Sequence, residues 1–410
     1  MVLALLSCTD PSVPSLPVDS DSIPIEDPDD SGVEDVPGVA EGICRIELDC
    51  GQAIPDEPKI DCDLEIADAE GLVLFDGEAG VEIRGRSSSG FPKKQYAVEL
   101  RRDGEALEVD LFGMGAESDW VLNGAWIDRA LTRNKYGYDL YQDWSPEHYG
   151  PESRTCQLRL DGADWGIYFL VERVKRDAAR IDIDEEGFVL KLDDQGGIYP
   201  NDAVGFGTWA PVHPEAPTTE EISAIQQILA SWQAAILDDP DAIFDVLDRD
   251  SAIDFVLLQE FMKNNDAYYL SVHLWRDASG LMAFTPWDLD LTFGQPTYND
   301  NVVPTGWILY RPTWVARMTS AEGFSEALAA RWFELREGTL SDEAALARFE
   351  AQRELLGDAA YENFEVWVWD DIDFLGGYLP VVEDYDAEVE KIREWIPARL
   401  AWIDENIEQY

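Results

Sequence analysis

The stretch that decides the fold runs from Asn264-Asn265-Asp266 to Trp287-Asp288-Leu289-Asp290-Leu291-Thr292-Phe293-Gly294. It holds two strand-like runs, 267–276 and 281–290, joined at Asp277-Ala278-Ser279-Gly280. Antiparallel pairing about that turn brings the start of the first run beside the end of the second. Asp266 is therefore expected next to Asp288 and Asp290. The last two are two residues apart and point to one side of a strand. Three carboxylates at one end of a hairpin repel each other unless a cation neutralises them, and hard oxygen ligands suit Mg²⁺ or Mn²⁺. The interleaved Trp287, Leu289, Leu291 and Phe293 favour a packed site over a solvated acidic loop.

Upstream lies the most basic stretch of the chain, from Val81-Glu82-Ile83-Arg84-Gly85-Arg86 through Ser87-Ser88-Ser89-Gly90 to Phe91-Pro92-Lys93-Lys94-Gln95-Tyr96. Two strands flank a Gly/Ser loop whose backbone N–H groups, Ser88 among them, can cradle an anion. Alternation places Lys94 with Tyr96, Val98 and Leu100 on the inward side and Lys93 on the outward side. Lys94 is thus the lysine expected to reach a phosphate. Glu172 ends the apolar run Gly166–Val171 and is expected to pair with Lys94, to sit at a lobe boundary, or to make a structural salt bridge. Lys191 is a weaker case of the same kind.

Working outward, residues 43–100 alternate apolar and polar side chains and read as antiparallel strands. Cys156–Leu160 and Gly166–Glu172 read as a hairpin turning at Asp161-Gly162. A helix is expected from Asp128 to Tyr141, with Asp128 as N-cap. Residues 193–216 read as loop. Thr218/Thr219-Glu-Glu-Ile opens a helix in capping-box style. Helical spacing continues to 264, over 320–356 and over 381–407. The fold class expected is α+β, with a cleft where a β-rich part (43–175) meets a helical part (176–410).

The 410 residues carry 84 Asp and Glu against 30 Lys and Arg, a formal charge of −54. That excludes charge-driven binding to nucleic acid or to an anionic membrane face, and suits divalent cations and basic partners. Cys44, Cys50, Cys62 and Cys156 make two disulfides in an exported protein, with three pairings open. Met1-Val-Leu-Ala-Leu-Leu-Ser-Cys8 ends like a bacterial lipoprotein processing site with a truncated leader. Residues 9–42 lack Lys and Arg and are rich in Pro, Asp and Glu, the composition of an acidic spacer. A lipid on Cys8 is the expected membrane link, on the envelope of a bacterial cell.

Taken together, several segments resemble the spore-coat CotH kinase family, an atypical branch of the protein-kinase-like fold. They are Arg84-Gly-Arg-Ser-Ser with Phe91-Pro-Lys-Lys94-Gln-Tyr, Leu122-Asn123-Gly124 through Arg133-Asn134-Lys135, Gly166–Arg173, and Trp287–Gly294. The resemblance implies two lobes, β-rich and helix-rich, with the hairpin at the cleft. It implies metal-dependent phosphoryl transfer from ATP to protein Ser/Thr, and the exported N-terminus makes envelope or secreted proteins the expected acceptors. By position, Lys94 would hold ATP phosphates and Arg84 would border the nucleotide. Asp266 would orient or deprotonate the acceptor hydroxyl, Asp288 would bind metal, and Asp290 would be second. Kinase catalytic loops commonly carry an Asn five residues after the acid; this chain has Ser271. That departure motivates an alternative, a catalytically inactive kinase-like scaffold. A carboxylate-paired hydrolase is a third reading.

Overall fold

The computed structural model describes residues 39–193, 197–201, 203–205, 207–295, 302–308, 311–368 and 382–410. The expectations for Cys8 and for the spacer up to residue 38 lie outside the described residues. Seven strands carry the main sheet of the N-terminal half: β1 (Cys44–Asp49), β2 (Ile60–Ala67), β3 (Val73–Arg84), β4 (Gln95–Arg102), β5 (Asp119–Asn123), β6 (Ser153–Leu160) and β7 (Ala163–Glu172), with two-residue strands only at its margin. Their order is β3-β2-β1-β6-β7-β5-β4, and β4 pairs again with β3. The sheet therefore closes on itself as a barrel.

This overturns the two-lobed protein-kinase-like fold expected from the sequence. The twelve-residue β3 has partners on both sides, so no open sheet edge is left there. The barrel does not stand apart from the helices either. On β5, Trp120 and Leu122 face the barrel core, while Val121 faces a second core shared with the helices. On β7, Tyr168 and Leu170 point inward while Ile167, Phe169 and Val171 point to that second core. Both strands are buried on both faces, and the larger core runs on through Ile407. The described residues from 39 to 410 belong to one compact unit.

A five-stranded sheet follows: β8 (Phe188–Asp193), β9 (Tyr199–Pro200), β10 (Thr208–His213), β11 (Val272–Arg276) and β12 (Met282–Pro286). The 193–216 segment thus contributes strand rather than loop alone. The helices are α1 (Arg133–Trp144), α2 (Thr219–Asp238), α3 (Arg249–Met262), α4 (Thr313–Met318), α5 (Phe324–Arg336), α6 (Asp342–Val366) and α7 (Tyr385–Asn406). Thr218 and Glu221 form the capping box of α2. Asp128 does not cap α1 in the expected way. Its carboxylate accepts the amides of Ala130, Thr132 and Arg133, so it organises a preceding turn and the helix begins five residues later.

The cysteines pair as Cys44–Cys156 and Cys50–Cys62. The first joins directly opposed residues of the parallel neighbours β1 and β6. No described helix is long and apolar enough to cross a membrane.

Candidate active site

The expected hairpin is present, with Val272 opposite Pro286 and Arg276 opposite Met282, but its strands are shorter than the runs 267–276 and 281–290, so Asp288 and Asp290 lie beyond the strand on which they were expected to share a side. Just beyond its open end the chain leaves the ladder, and both Ser271 and Asp288 adopt left-handed backbone conformations, φ 57° each. Such residues cost strain that the surroundings must hold. Helix α1 does much of the holding here. The Asp288 amide donates to Tyr138 Oη at 3.1 Å, and the Leu289 amide donates to Asn134 Oδ1 at 2.5 Å. The Tyr138 ring stacks on Trp287 at 6.0 Å. Gly137 allows this approach: a Cβ there would lie 2.3 Å from Leu289 Cδ1. On the other side, the Asn265 amide donates to Leu291 O at 3.0 Å and brings Asp266 into line.

One cleft gathers Asp266, Asp288 and Asp290 with Arg84, Ser88 and Lys191. Gln95, Asn123 and Ser271 add polar side chains, and Phe91, Ile127 and Leu291 an apolar wall. The barrel thus supplies the β3–β4 loop and the second sheet supplies Lys191. The cavity measures about 130 Å³. Small-molecule sites usually measure roughly 300–1,000 Å³. The cleft as it stands is smaller than a whole nucleotide needs.

Charge in the cleft is unbalanced. Burial, and then the neighbouring Asp288, push the Asp266 carboxyl up to about 6. Burial raises Asp288 as well, opposed by Arg84 and Lys191. Asp290 is raised well above its ordinary value, by burial and by the charges of Asp288 and Asp266. Arg84 is itself lowered by burial, partly offset by Asp288; it lies over the Trp287 ring at 5.5 Å. Ser271 Oγ lies 3.5 Å from Asp288 Oδ2. Among the described residues, no three His, Cys, Asp or Glu side chains could hold a metal by themselves. Hard oxygen donors with uncompensated negative charge do fit Mg²⁺ or Mn²⁺, whose shell is usually completed by water and phosphate oxygens.

Two basic-loop expectations need correction. Lys94 does not face the cleft: its Nζ donates to Ser89 O at 2.7 Å and braces the loop. Lys93 is the buried lysine, 1% exposed, donating to Ile167 O at 2.6 Å and Asn363 Oδ1 at 2.8 Å. The ladder starts only at Gln95, so strand alternation cannot be extended back through the two lysines. Glu172 meets neither lysine; of its expected roles, the structural salt bridge is the one present. It accepts from Arg180 at 2.7 Å and from Tyr149 Oη at 2.9 Å, away from the cleft. Asn134 and Tyr138 escaped the sequence reading because their contacts are made across about 150 residues. The only signal was Asn134 in the Arg133-Asn134-Lys135 motif.

Tyr138→Phe removes the acceptor for the Asp288 amide and keeps the ring. It is expected to weaken Mn²⁺ binding by roughly tenfold or more, as loss of a supporting hydrogen bond does at metal sites. Isothermal titration of Mn²⁺ into both proteins checks this; equal affinities would count against the positioning role.

The family model described as CotH kinase protein matches residues 81–403, from β3 to the last turns of α7. No curated protein matches the chain.

Proposed function

Because the chain belongs to the CotH kinase family, we propose that it transfers a phosphoryl group from ATP to Ser/Thr hydroxyls of envelope or secreted proteins. The observation that carries this reading is the convergence of Asp266, Asp288 and Asp290 with Arg84 and Lys191 on one cleft. Phosphoryl transfer needs positioning and charge neutralisation more than covalent chemistry. Asp288 and Asp290 would hold Mg²⁺ or Mn²⁺, which supplies charge neutralisation at the phosphates when bound. Arg84 and Lys191 add positive charge at the same place, and the Gly85–Ser88 backbone lies beside them. Asp266 orients the acceptor hydroxyl and takes its proton. Its raised affinity for protons makes it a better base than an exposed aspartate.

The test is label incorporation from γ-labelled ATP into serine-rich peptides by the full chain with Mn²⁺. Asp266→Asn is expected to lower it roughly 10²- to 10⁴-fold. Incorporation unchanged by that substitution would remove Asp266 from the chemistry.

Ser271 keeps a second reading in view. It occupies the place where a kinase catalytic loop carries Asn, and it meets Asp288 only at 3.5 Å. A nucleotide-binding scaffold without turnover fits that feature. It predicts metal-dependent ATP binding with no incorporation into any acceptor.

A further inference from the structure

A cavity larger than the cleft lies elsewhere. A groove of about 870 Å³ opens at the far end of the β11–β12 hairpin, where Asp277, Gly280 and Leu281 line it. Ser271 and Asp288 line the cleft at the other end. Five strand residues separate the two, about 17 Å at the usual rise. Helices α1, α3 and α5 complete the groove.

Its floor is apolar. Trp144, Ile253 and Ala283 are buried beneath it, Trp275 is partly covered, and Leu281 is 42% exposed. Its rim is acidic. Arg331 is shared between Asp254 and Glu334, each at 2.9 Å, and His148 lies 3.4 Å from Asp248. Glu147 and Asp250 are exposed on the same rim, and Asp277 stands at the hairpin turn. Thus carboxylates outnumber the cations around an exposed aliphatic side chain. An acidic rim around an apolar floor complements a segment that carries both cationic and apolar side chains.

We propose that this groove docks a cationic amphipathic segment of a partner protein. An apolar side chain of that segment packs on Leu281 and Trp275, and its Lys or Arg residues meet Glu147, Asp250 and Asp277. That the partner is the phosphate acceptor rests on the reading of the cleft given above; the docking itself does not. A docking point at one end of a rigid hairpin and the chemistry at the other would hold an acceptor at a fixed reach from Asp266.

Fluorescence anisotropy of the full chain with a labelled dodecapeptide of alternating Lys and Leu tests the proposal. A Lys–Ser dodecapeptide of equal charge and a Glu–Leu dodecapeptide are the comparators. At near-physiological salt the Lys–Leu peptide is expected to bind at least about tenfold more tightly than either. Leu281→Asp and Asp250→Lys should each weaken it about fivefold or more, with melting temperatures unchanged. Glu105→Lys, on the barrel, should leave affinity within about twofold. Leu281→Asp is the sharper variant, because it adds negative charge: attraction by charge alone predicts tighter binding. Equal affinity of the Lys–Leu and Lys–Ser peptides, or equal losses in Asp250→Lys and Glu105→Lys, would overturn the proposal. Asp288→Ala should bind the peptide as wild type does. Loss of phosphoryl transfer with retained docking then separates failure of the catalytic reading from failure of the groove.

Discussion

Asp288→Ala is expected to reduce metal-dependent phosphoryl transfer by on the order of 10³-fold or more. Asp288 sits in the cleft with Asp266 and Asp290, and its left-handed backbone is fixed by bonds from α1. Removing it takes away one of the two carboxylates assigned to the metal and the negative charge facing Arg84. The surrounding fold should survive, because the backbone amides of residues 288 and 289 keep their partners on Tyr138 and Asn134. Incorporation rates at saturating Mn²⁺ and ATP, with circular dichroism as a check on folding, measure the effect. A loss of less than about tenfold would assign the metal elsewhere.

The largest expected effect on stability is that of Arg133→Ala. The guanidinium is fully buried and reaches three elements at once. It donates to Asp128 at 2.7 Å, to Glu388 of α7 at 2.5 Å, and through Nε to Thr292 O at 2.9 Å. Alanine leaves the buried Asp128 carboxylate without its cation and Glu388 with only Lys391, at 3.6 Å. Breaking a buried pair in this way costs roughly 3–5 kcal/mol. Chemical denaturation should show this as a lower midpoint with the same slope. The double variant Arg133→Met, Glu388→Leu removes charge from both sides and is expected to recover part of the loss. A single variant as stable as wild type would mean that the network adds nothing to the fold.

The crowded acids also give the metal-free protein a pH signature. Asp266 holds its proton up to about 6 when folded, against an ordinary value of 3.8. An acid raised on folding contributes stability that is fully present below its unfolded value and is lost as pH rises through its folded value. The window therefore runs from about pH 4 to pH 6, and the amount is on the order of 3 kcal/mol. Asp266→Asn does not titrate. In chelator, its stability relative to wild type should rise across that window; a gap that is constant with pH would contradict the assignment.

The hairpin and its three aspartates were legible because the deciding signals are local. Two runs about Asp277–Gly280 set the hairpin register and bring its open ends together; the acids themselves lie just past the ladder. The barrel was not legible. Strand β3 reads the same whether one edge or both are paired, and its closure on β4 depends on pairings that also involve β1 and β6, up to 112 residues away. The two lysines were misassigned because a period of two was carried past the first residue of the ladder. Asp128 was read as a cap from its type and position, yet it accepts three amides of its own turn and pairs with Arg133. Helix α1 matters to the cleft through Asn134 and Tyr138, and nothing in a helical pattern says which hydroxyl will meet a strand end 150 residues on.

The central claim is that Asp288 and Asp290 hold the metal of a nucleotide site, beside the base Asp266. A thermal-shift titration of the full chain with ATP, with and without Mn²⁺, in wild type and Asp288→Ala, tests it most directly. A ligand that binds only the folded state raises the melting temperature as its concentration passes the dissociation constant. The prediction is a rise with ATP that requires Mn²⁺ and disappears in Asp288→Ala. A rise of equal size in both proteins, or none in a folded wild type, would contradict it.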